Sequence, residues 1–152
     1  MSGTTYVSIG ESVAEYLADT VTYTALTVGT NAFYGLVPDE PDELVCVFER
    51  PGGSPLMTMT GEGLSQSLLD RPQIQVRVRA AANNYAAANT LMQQVLAALQ
   101  GLANSEVPSG GLEFLLISMA GSAMYLGQDT RQRPEWSVNL SAIVDNTQRI
   151  LA

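Results

Sequence analysis

The segment from residue 70 to residue 101 constrains the fold more than any other part of the chain. Apolar and polar side chains alternate along its first part, which predicts a β-strand with one buried face and one polar face. The apolar set is Ile74, Val76, Val78 and Ala80, and the polar set is Gln73, Gln75, Arg77 and Arg79. The polar face of this strand therefore carries two guanidinium groups.

The second part of the same segment predicts the best-defined helix of the chain. Asn83 or Asn84 can cap its first turn, and Gly101 is placed to end it. Its apolar positions recur at helical spacing and are Tyr85, Ala88, Met92, Val95, Leu96 and Leu99. No charged residue lies between residues 80 and 105. An uncharged helix of this length is unusual on a freely solvated surface, which indicates that a partner covers its polar side.

The remaining elements complete an α+β pattern. A first helix is predicted from about Ile9 to Asp19, with Ser8 and Glu11 as a candidate capping box. Further strands are predicted at 44–48, 56–60, 112–119, 122–127 and 135–144, and a short strand is predicted within 20–35. Strands 44–48 and 56–60 could pair as a hairpin, and residues 102–111 are predicted to form a loop. We expect a single domain over residues 1–152, with a mixed or mostly antiparallel sheet, two packed helices and a tail at 145–152 that is free to be mobile.

Composition argues against catalysis. The chain has no histidine and no lysine, which removes the usual general base, the commonest zinc ligand and Schiff-base chemistry. Glycine-rich phosphate loops and nucleophile elbows are also absent, and Asp129 with Glu135 is read as a chance carboxylate pair. The single cysteine, Cys46, lies between two valines and is expected to be a small buried hydrophobe. We therefore predict no catalytic residue, no cofactor and no metal site.

Charge is distributed unevenly along the chain. Residues 1–62 hold nine carboxylates against one arginine, whereas the remaining residues balance six against six, for a net charge of −8. This balance lacks the basic footprint of a nucleic-acid-binding protein. The sequence shows neither an apolar run long enough for a membrane helix nor a signal peptide, so we expect a soluble protein made in the cytoplasm.

Two charged groups allow more than one interpretation. Residues 38–43, here called the acidic turn, contain Asp39, Glu40, Asp42 and Glu43. Their spacing does not match a calcium-binding loop, which favours an exposed, solvated connector. Arg77 and Arg79 could lie on a solvated sheet face paired with acids of a neighbouring strand. They could equally form an intersubunit surface, since arginine makes bidentate pairs with carboxylates.

An ordered series of short features resembles the small tail-terminator and minor-capsid proteins of tailed bacteriophages. The series consists of Tyr16-Leu17 in the first helix, FYGLVPDEPDE (33–43), LVCVFERPGGSP (44–55), RPQIQVRVRA (71–80), Tyr85 with the alanine-rich helix ending in LQG, LGQD (126–129) and RPEWSVNLSAIV (133–144). The resemblance covers most of the chain. The segments 56–70 and 102–111 depart from it, which affects surface details rather than the fold.

The resemblance implies an α+β fold, no catalytic residues and a structural role in the virion. Such proteins form a hexameric ring on the head-proximal end of the tail tube, stop its polymerisation and dock to the capsid neck. The implied partners are other copies of the chain, the major tail-tube protein and a head–tail connector or neck protein. Within the matching motifs, Gln75, Arg77, Arg79 and Arg133 would face a neighbouring subunit or the tube protein.

The charge of such a ring suggests how DNA would pass through it. A ring of copies that each carry −8 is strongly negative, so its bore would repel phosphates and let DNA pass without specific binding. We expect the acidic residues near this bore to be Asp39, Glu40, Asp42 and Glu43.

Other functional classes remain open at this point. The nearest is another neck or head-completion protein, which has similar size and also forms rings. A monomeric binding module is a different class, in which the uncharged helix side would be only a polar surface. An enzyme is the least supported, because it would need a metal or a carboxylate pair that the sequence does not reveal.

Overall fold

The structure, a computed structural model, describes residues 8–50, 56–58, 67–107 and 112–145. Within these ranges the chain forms two helices, α1 (Ile9–Thr20) and α2 (Tyr85–Leu99). The strands in the same ranges are β1 (Ala32–Tyr34), β2 (Leu44–Arg50), β3 (Leu56–Thr58), β4 (Ser67–Asp70), β5 (Gln73–Arg79), β6 (Ala103–Val107), β7 (Leu112–Met119), β8 (Met124–Gln128) and β9 (Pro134–Asp145).

Strand β9 is the centre of the sheet, because it is long enough to pair with two strands along each edge. One edge pairs with β5 and then β4, and the other pairs with β7 and β8. Beyond β5 lie β2 and then the outermost strand β1. Strand β3 pairs with the outer edge of β4, and β6 pairs with the outer edge of β7. The described strands thus form one open, mixed sheet. Only the β1–β2 pair is parallel, so the predicted mixed, mostly antiparallel α+β domain is confirmed.

Both helices pack on the same face of this sheet. The apolar side of β5 meets the apolar side of β9 in register, with Ile74 opposite Leu140 and Val76 opposite Val138. These four side chains are fully buried under residues of the two helices, which include Val13, Leu17, Leu91, Met92, Val95 and Leu99. The alternation predicted for β5 is therefore confirmed, because its apolar side chains form the centre of the core.

The other face of the sheet is not covered by a helix of the described residues. We call it the open face. By strand alternation and register it carries the following side chains: Phe48, Gln73, Gln75, Arg77, Leu116, Ser118, Asn139 and Ser141. A sheet with helices on one side only leaves this mixed polar and apolar surface to solvent or to a partner.

The helix ends follow the sequence signals. The Ser8 hydroxyl oxygen accepts a hydrogen bond from the Glu11 amide at 3.1 Å, and the Asn84 side-chain oxygen accepts one from the Ala87 amide at 3.2 Å. Each bond satisfies an amide that the first helical turn leaves without an intrahelical partner. Past the end of α2, Gly101 has a φ of 76°, the left-handed conformation that glycine adopts without steric cost.

Two expectations from the sequence differ from the structure, and a third falls largely outside the described residues. Segment β3 pairs with β4 rather than with β2, because both edges of β2 are already occupied by β1 and β5. Strand β6 lies within the predicted loop 102–111, where the chain follows β7 despite its weak β propensity. Asp145 ends β9, and the rest of the predicted mobile tail lies outside the described residues.

Candidate functional site

The acidic turn lies over one end of the open face, where Arg79 holds its backbone. The Arg79 residue is only 4% exposed. Its Nε donates to the Asp42 carbonyl at 3.0 Å, and its Nη2 donates to the carbonyls of Pro38, Asp39 and Pro41 at 3.0, 3.1 and 2.6 Å. One planar guanidinium therefore satisfies four carbonyl groups of a single turn.

A second arginine, Arg133, binds the side chains of the same turn. Its side chain is 5% exposed, and its Nε donates to Asp129 Oδ2 at 2.8 Å. Its terminal nitrogens lie 3.0 Å from Asp39 Oδ1 and 3.2 Å from Asp42 Oδ1. The half-exposed Arg131 adds a contact of 2.9 Å to Glu40 Oε1. We call this set of three arginines and their acids the arginine cluster.

Positive and negative charges nearly cancel in the arginine cluster, because it contains three guanidinium groups and the four carboxylates of Asp39, Glu40, Asp42 and Asp129. The hydrogen bond from the buried Arg133 guanidinium is the main reason that the pKa of Asp39 lies below its usual value. Burial raises the pKa of Asp129, but hydrogen bonds from the amide and side chain of Arg133 outweigh it and leave this pKa lowered as well. The fourth acid of the turn, Glu43, accepts a hydrogen bond from the Thr24 hydroxyl.

These lowered pKa values predict how stability depends on pH. A carboxyl whose pKa is lower in the folded state stabilises the fold above its unfolded pKa, and this stabilisation is lost as pH falls through the folded pKa. We expect Asp129→Asn to lose less unfolding free energy than the original protein between about pH 6 and pH 3, measured by urea unfolding. Asp19→Asn, which removes an exposed carboxyl at the end of α1 and outside the arginine cluster, is the matched control. Equal losses in Asp129→Asn and the original protein would contradict this account.

The structure separates the four residues predicted to face a neighbour. Gln75 and Arg77 lie on the open face, where Gln75 Nε2 is 3.3 Å from Asn139 Oδ1 and the Arg77 guanidinium stands 5.7 Å from the centre of the Phe48 ring. Arg79 and Arg133 are buried in the arginine cluster. The expectation that these two present their guanidinium groups to a neighbouring subunit does not fit this placement, because their donors bind the acidic turn of the same chain.

The open face contains a shallow depression of about 360 Å³ between β5, β7 and β9. Arg71, Gln73, Leu116 and Ser141 are among the residues that line it. Its lining mixes one cation with amide, hydroxyl and aliphatic groups, a composition suited to contact with another protein surface. Within the described ranges, no cluster of acidic or cysteine side chains could hold a metal ion, and neither helix is long and apolar enough to span a membrane.

An exposed aromatic cluster lies at the edge of the sheet on the helix side. The ring centroids of Tyr85 and Tyr125 are 5.0 Å apart at a steep angle, and both rings lie within 6 Å of Trp136, at 5.8 and 5.5 Å. The two tyrosines are 49% and 43% exposed. Sequence reasoning missed this cluster, because it assigned Tyr85 to the apolar face of α2. Three consecutive large apolar residues in β8, Met124 to Leu126, were the available signal, since a strand that carries them on both sides cannot bury all of them in one core.

Cys46 behaves as the sequence predicts. It is fully buried in β2, and its Sγ lies 2.9 Å from the Leu36 carbonyl, to which the thiol donates. Burial raises the pKa of the thiol, which keeps it protonated. Cys46 is therefore a packing residue that also ties down the chain just before the acidic turn.

The fold and its open face define a two-layer α+β domain with one sheet surface uncovered. A family model described as "Bacteriophage tail terminator protein" matches residues 18–146, from within α1 to just beyond β9. The chain therefore belongs to the bacteriophage tail terminator family and is a structural protein of the virion tail or neck. This confirms the resemblance that the sequence motifs carry.

A solved structure has a similar fold. It is a chain from the "Virion of native gene transfer agent (GTA) particle", with a TM-score of 0.52 and 14% sequence identity. The match covers 91% of this chain and 95% of that chain. At this identity the likeness concerns the fold alone. A comparison with curated proteins found no match.

Proposed function

We propose that the protein is a tail terminator that forms a ring, most simply a hexamer, on the head-proximal end of the tail tube. The ring stops tube polymerisation and then docks to the head–tail connector or neck. The observation that carries this proposal is the family match, which spans nearly all of the described fold. The subunit is made in the host cytoplasm and functions in the virion, and its mechanism is contact with other proteins rather than catalysis.

The open face is the proposed docking surface for a neighbouring subunit or the tube protein. By strand alternation it carries Arg50 and Arg77, and Arg71 lines its depression. No ion pair to these arginines is present among the described residues, in contrast to Arg131 and Arg133 of the arginine cluster. Arg50, Arg71 and Arg77 lie toward the middle of this face, between Glu113 and Asp145 at one end and Glu135 at the other. The basic middle favours a partner surface that carries carboxylates. Gln75 supplies a hydrogen-bonding group beside it.

We also propose that the acidic turn borders the bore through which DNA passes. Its contacts with the arginines of the arginine cluster hold the turn in place and offset much of its negative charge. The rim of the bore would then be rigid and nearly neutral, instead of carrying four free negative charges. Repulsion of DNA would then come from the net charge of the whole ring. An electron cryomicroscopy map of the ring that placed the acidic turn on the outer rim would contradict this arrangement.

Polymerisation of the purified tube protein tests the function directly. In electron micrographs of negatively stained samples, we expect added terminator to shorten the tubes and to mark one end of each. Arg77→Glu should weaken this effect by about tenfold or more, because it places a carboxylate against an acidic partner. Asp19→Arg, a charge reversal on the exposed end of α1, should leave the effect unchanged.

Two results would count against the proposed terminator function. Tubes of unchanged length and free ends would show that the protein does not terminate them. Binding to the connector without binding to the tube would instead favour a head-completion protein. A tube effect that Arg77→Glu leaves intact would exclude the open face as the docking surface.

A further inference from the structure

All exposed large hydrophobic side chains of the described residues lie in three uncharged segments. The segments are 20–38, 80–105 and 114–128, and none contains an acidic or basic residue. The exposed side chains are Tyr23, Tyr34, Leu36, Tyr85, Leu116, Met124, Tyr125 and Leu126. Because the chain carries 22 charged residues elsewhere (seven basic and 15 acidic), this separation of apolar surface from charge marks surfaces that a partner covers.

Half of these side chains lie around β8, which we call the β8 edge: Tyr85 and Tyr125 on the helix side, Met124 on the opposite side, and Leu126 at the irregularity of the strand. Their exposed fractions are 49%, 49%, 43% and 45%. Among the described strands, β8 pairs only with β9, so its outer edge has no neighbouring strand. Half-exposed side chains of this size present roughly 300–400 Å² of apolar surface.

A second apolar patch lies at the opposite end of the sheet, next to β1. It contains Tyr34 and Leu36, which are 42% and 61% exposed, and we call it the β1 edge. Among the described strands, β1 pairs only with β2. The β1 edge and the β8 edge are therefore different surfaces on opposite sides of one subunit.

We infer that the β8 edge of one subunit binds the β1 edge of the next copy, and that this contact repeats around the ring. The inference rests on the proposed function. A head-to-tail contact needs two different complementary surfaces on each subunit, and it makes a ring when the rotation closes. These two edges satisfy that requirement, whereas binding to an unrelated protein would require only one of them.

Strand direction is compatible with this contact. Strand β8 runs parallel to β5, since both are antiparallel to β9. Strand β1 runs antiparallel to β5, since it is parallel to β2. Two copies placed side by side in the same orientation therefore bring β8 and β1 together as antiparallel strands, the arrangement that predominates in this sheet.

Charge favours a second copy as the occupant. Copies that each carry −8 repel one another, so a contact between them is least costly where the surface has no charge. The side chains that define both edges are uncharged, whereas the open face carries arginines and acids that would have to be matched by the other copy. The area of the β8 edge is about half of what each partner buries in a standard stable interface, which is consistent with subunits that associate fully only on the tube.

Cross-linking between engineered cysteines tests the contact. In a Cys46→Ala background, the double variant Leu36→Cys with Leu126→Cys is mixed with the tube protein and treated with a short bismaleimide. We expect a ladder of covalent multimers, because each subunit is linked on both sides. Each single-cysteine variant should remain monomeric on a denaturing gel. A matched control with Asp19→Cys, on the exposed end of α1, and Leu126→Cys should not form the ladder.

A second measurement does not depend on the cysteine background. Leu126→Glu places a charge in the contact and should reduce subunit association on the tube by about tenfold or more, whereas the charge reversal Asp19→Arg on the exposed end of α1 should not. Native mass spectrometry of the capped tube ends measures the number of subunits in each case.

The outcomes separate the two proposals. Capped tubes without the ladder would overturn the edge contact and leave the terminator function standing. Dimers from the single variant Leu126→Cys would show a symmetric β8–β8 contact and would also overturn it. Failure to bind the tube, together with no ladder, would overturn both.

Discussion

Replacing Arg79 with methionine is expected to lower the free energy of unfolding by about 2–4 kcal/mol. The substitution keeps much of the side-chain volume but removes the donors that bind four carbonyl groups of the acidic turn. The carbonyls of Pro38, Pro41 and Asp42 would lose this donor, while the Asp39 carbonyl would keep its hydrogen bond from Arg133. The unfolding free energy from urea titration is the measurement, and a decrease of roughly 4–16 °C in Tm should accompany it.

Arg77→Met is the matched control, because Arg77 is two residues away on the same side of β5 but exposed. Its stability should change by less than about 0.5 kcal/mol. Arg79→Lys should fall between the two, since a lysine keeps the charge but cannot span the four carbonyls with a planar fork. Equal stability of Arg79→Met and Arg77→Met would show that the acidic turn does not depend on this guanidinium.

Leu140→Ala is expected to destabilise the domain by about 2–5 kcal/mol. Leu140 is fully buried in the central strand β9, opposite Ile74 of β5 and Met119 of β7. The cavity would therefore open at the junction of three strands, where surrounding side chains cannot easily collapse into it. Chemical unfolding with an unchanged m-value would identify the effect as lost packing rather than altered compactness.

The neighbouring residue provides the comparison for this second substitution. Ser141 lies on the other side of β9, on the open face, so Ser141→Ala should change stability by less than about 0.5 kcal/mol. A loss of several kcal/mol in Ser141→Ala would mean that the open face is not solvent-exposed in the free subunit.

Hydrophobic periodicity was sufficient to predict most of the fold. The period-two pattern of β5 and β9 and the helical spacing of α2 each specify which side is buried, and the structure buries those sides. The helix caps Ser8 and Asn84 could also be predicted from the sequence, because capping depends on residues within one helical turn. Elements defined by local pattern were thus the predictable ones.

Features that depend on distant segments were not predictable in the same way. Alternation places Arg77 and Arg79 on one side of β5 but does not show that the acidic turn folds over only one of them. Nothing within Arg133 or the acidic turn specifies that they meet across more than ninety residues of chain. Strand β6 depends on its pairing with β7, and the partner of β3 depends on both edges of β2 being occupied.

The position of β9 in the chain has a consequence for how the subunit is made. The ribosome synthesises β9 after every other described strand, yet β5 and β7 are joined only through it. A nascent chain that stops before residue 134 would hold the separate groups β1–β2–β5, β3–β4 and β6–β7, with β8 unpaired and the edges that face β9 exposed. Such edges promote aggregation, so we expect truncated chains to be removed as insoluble material and not to be built into particles.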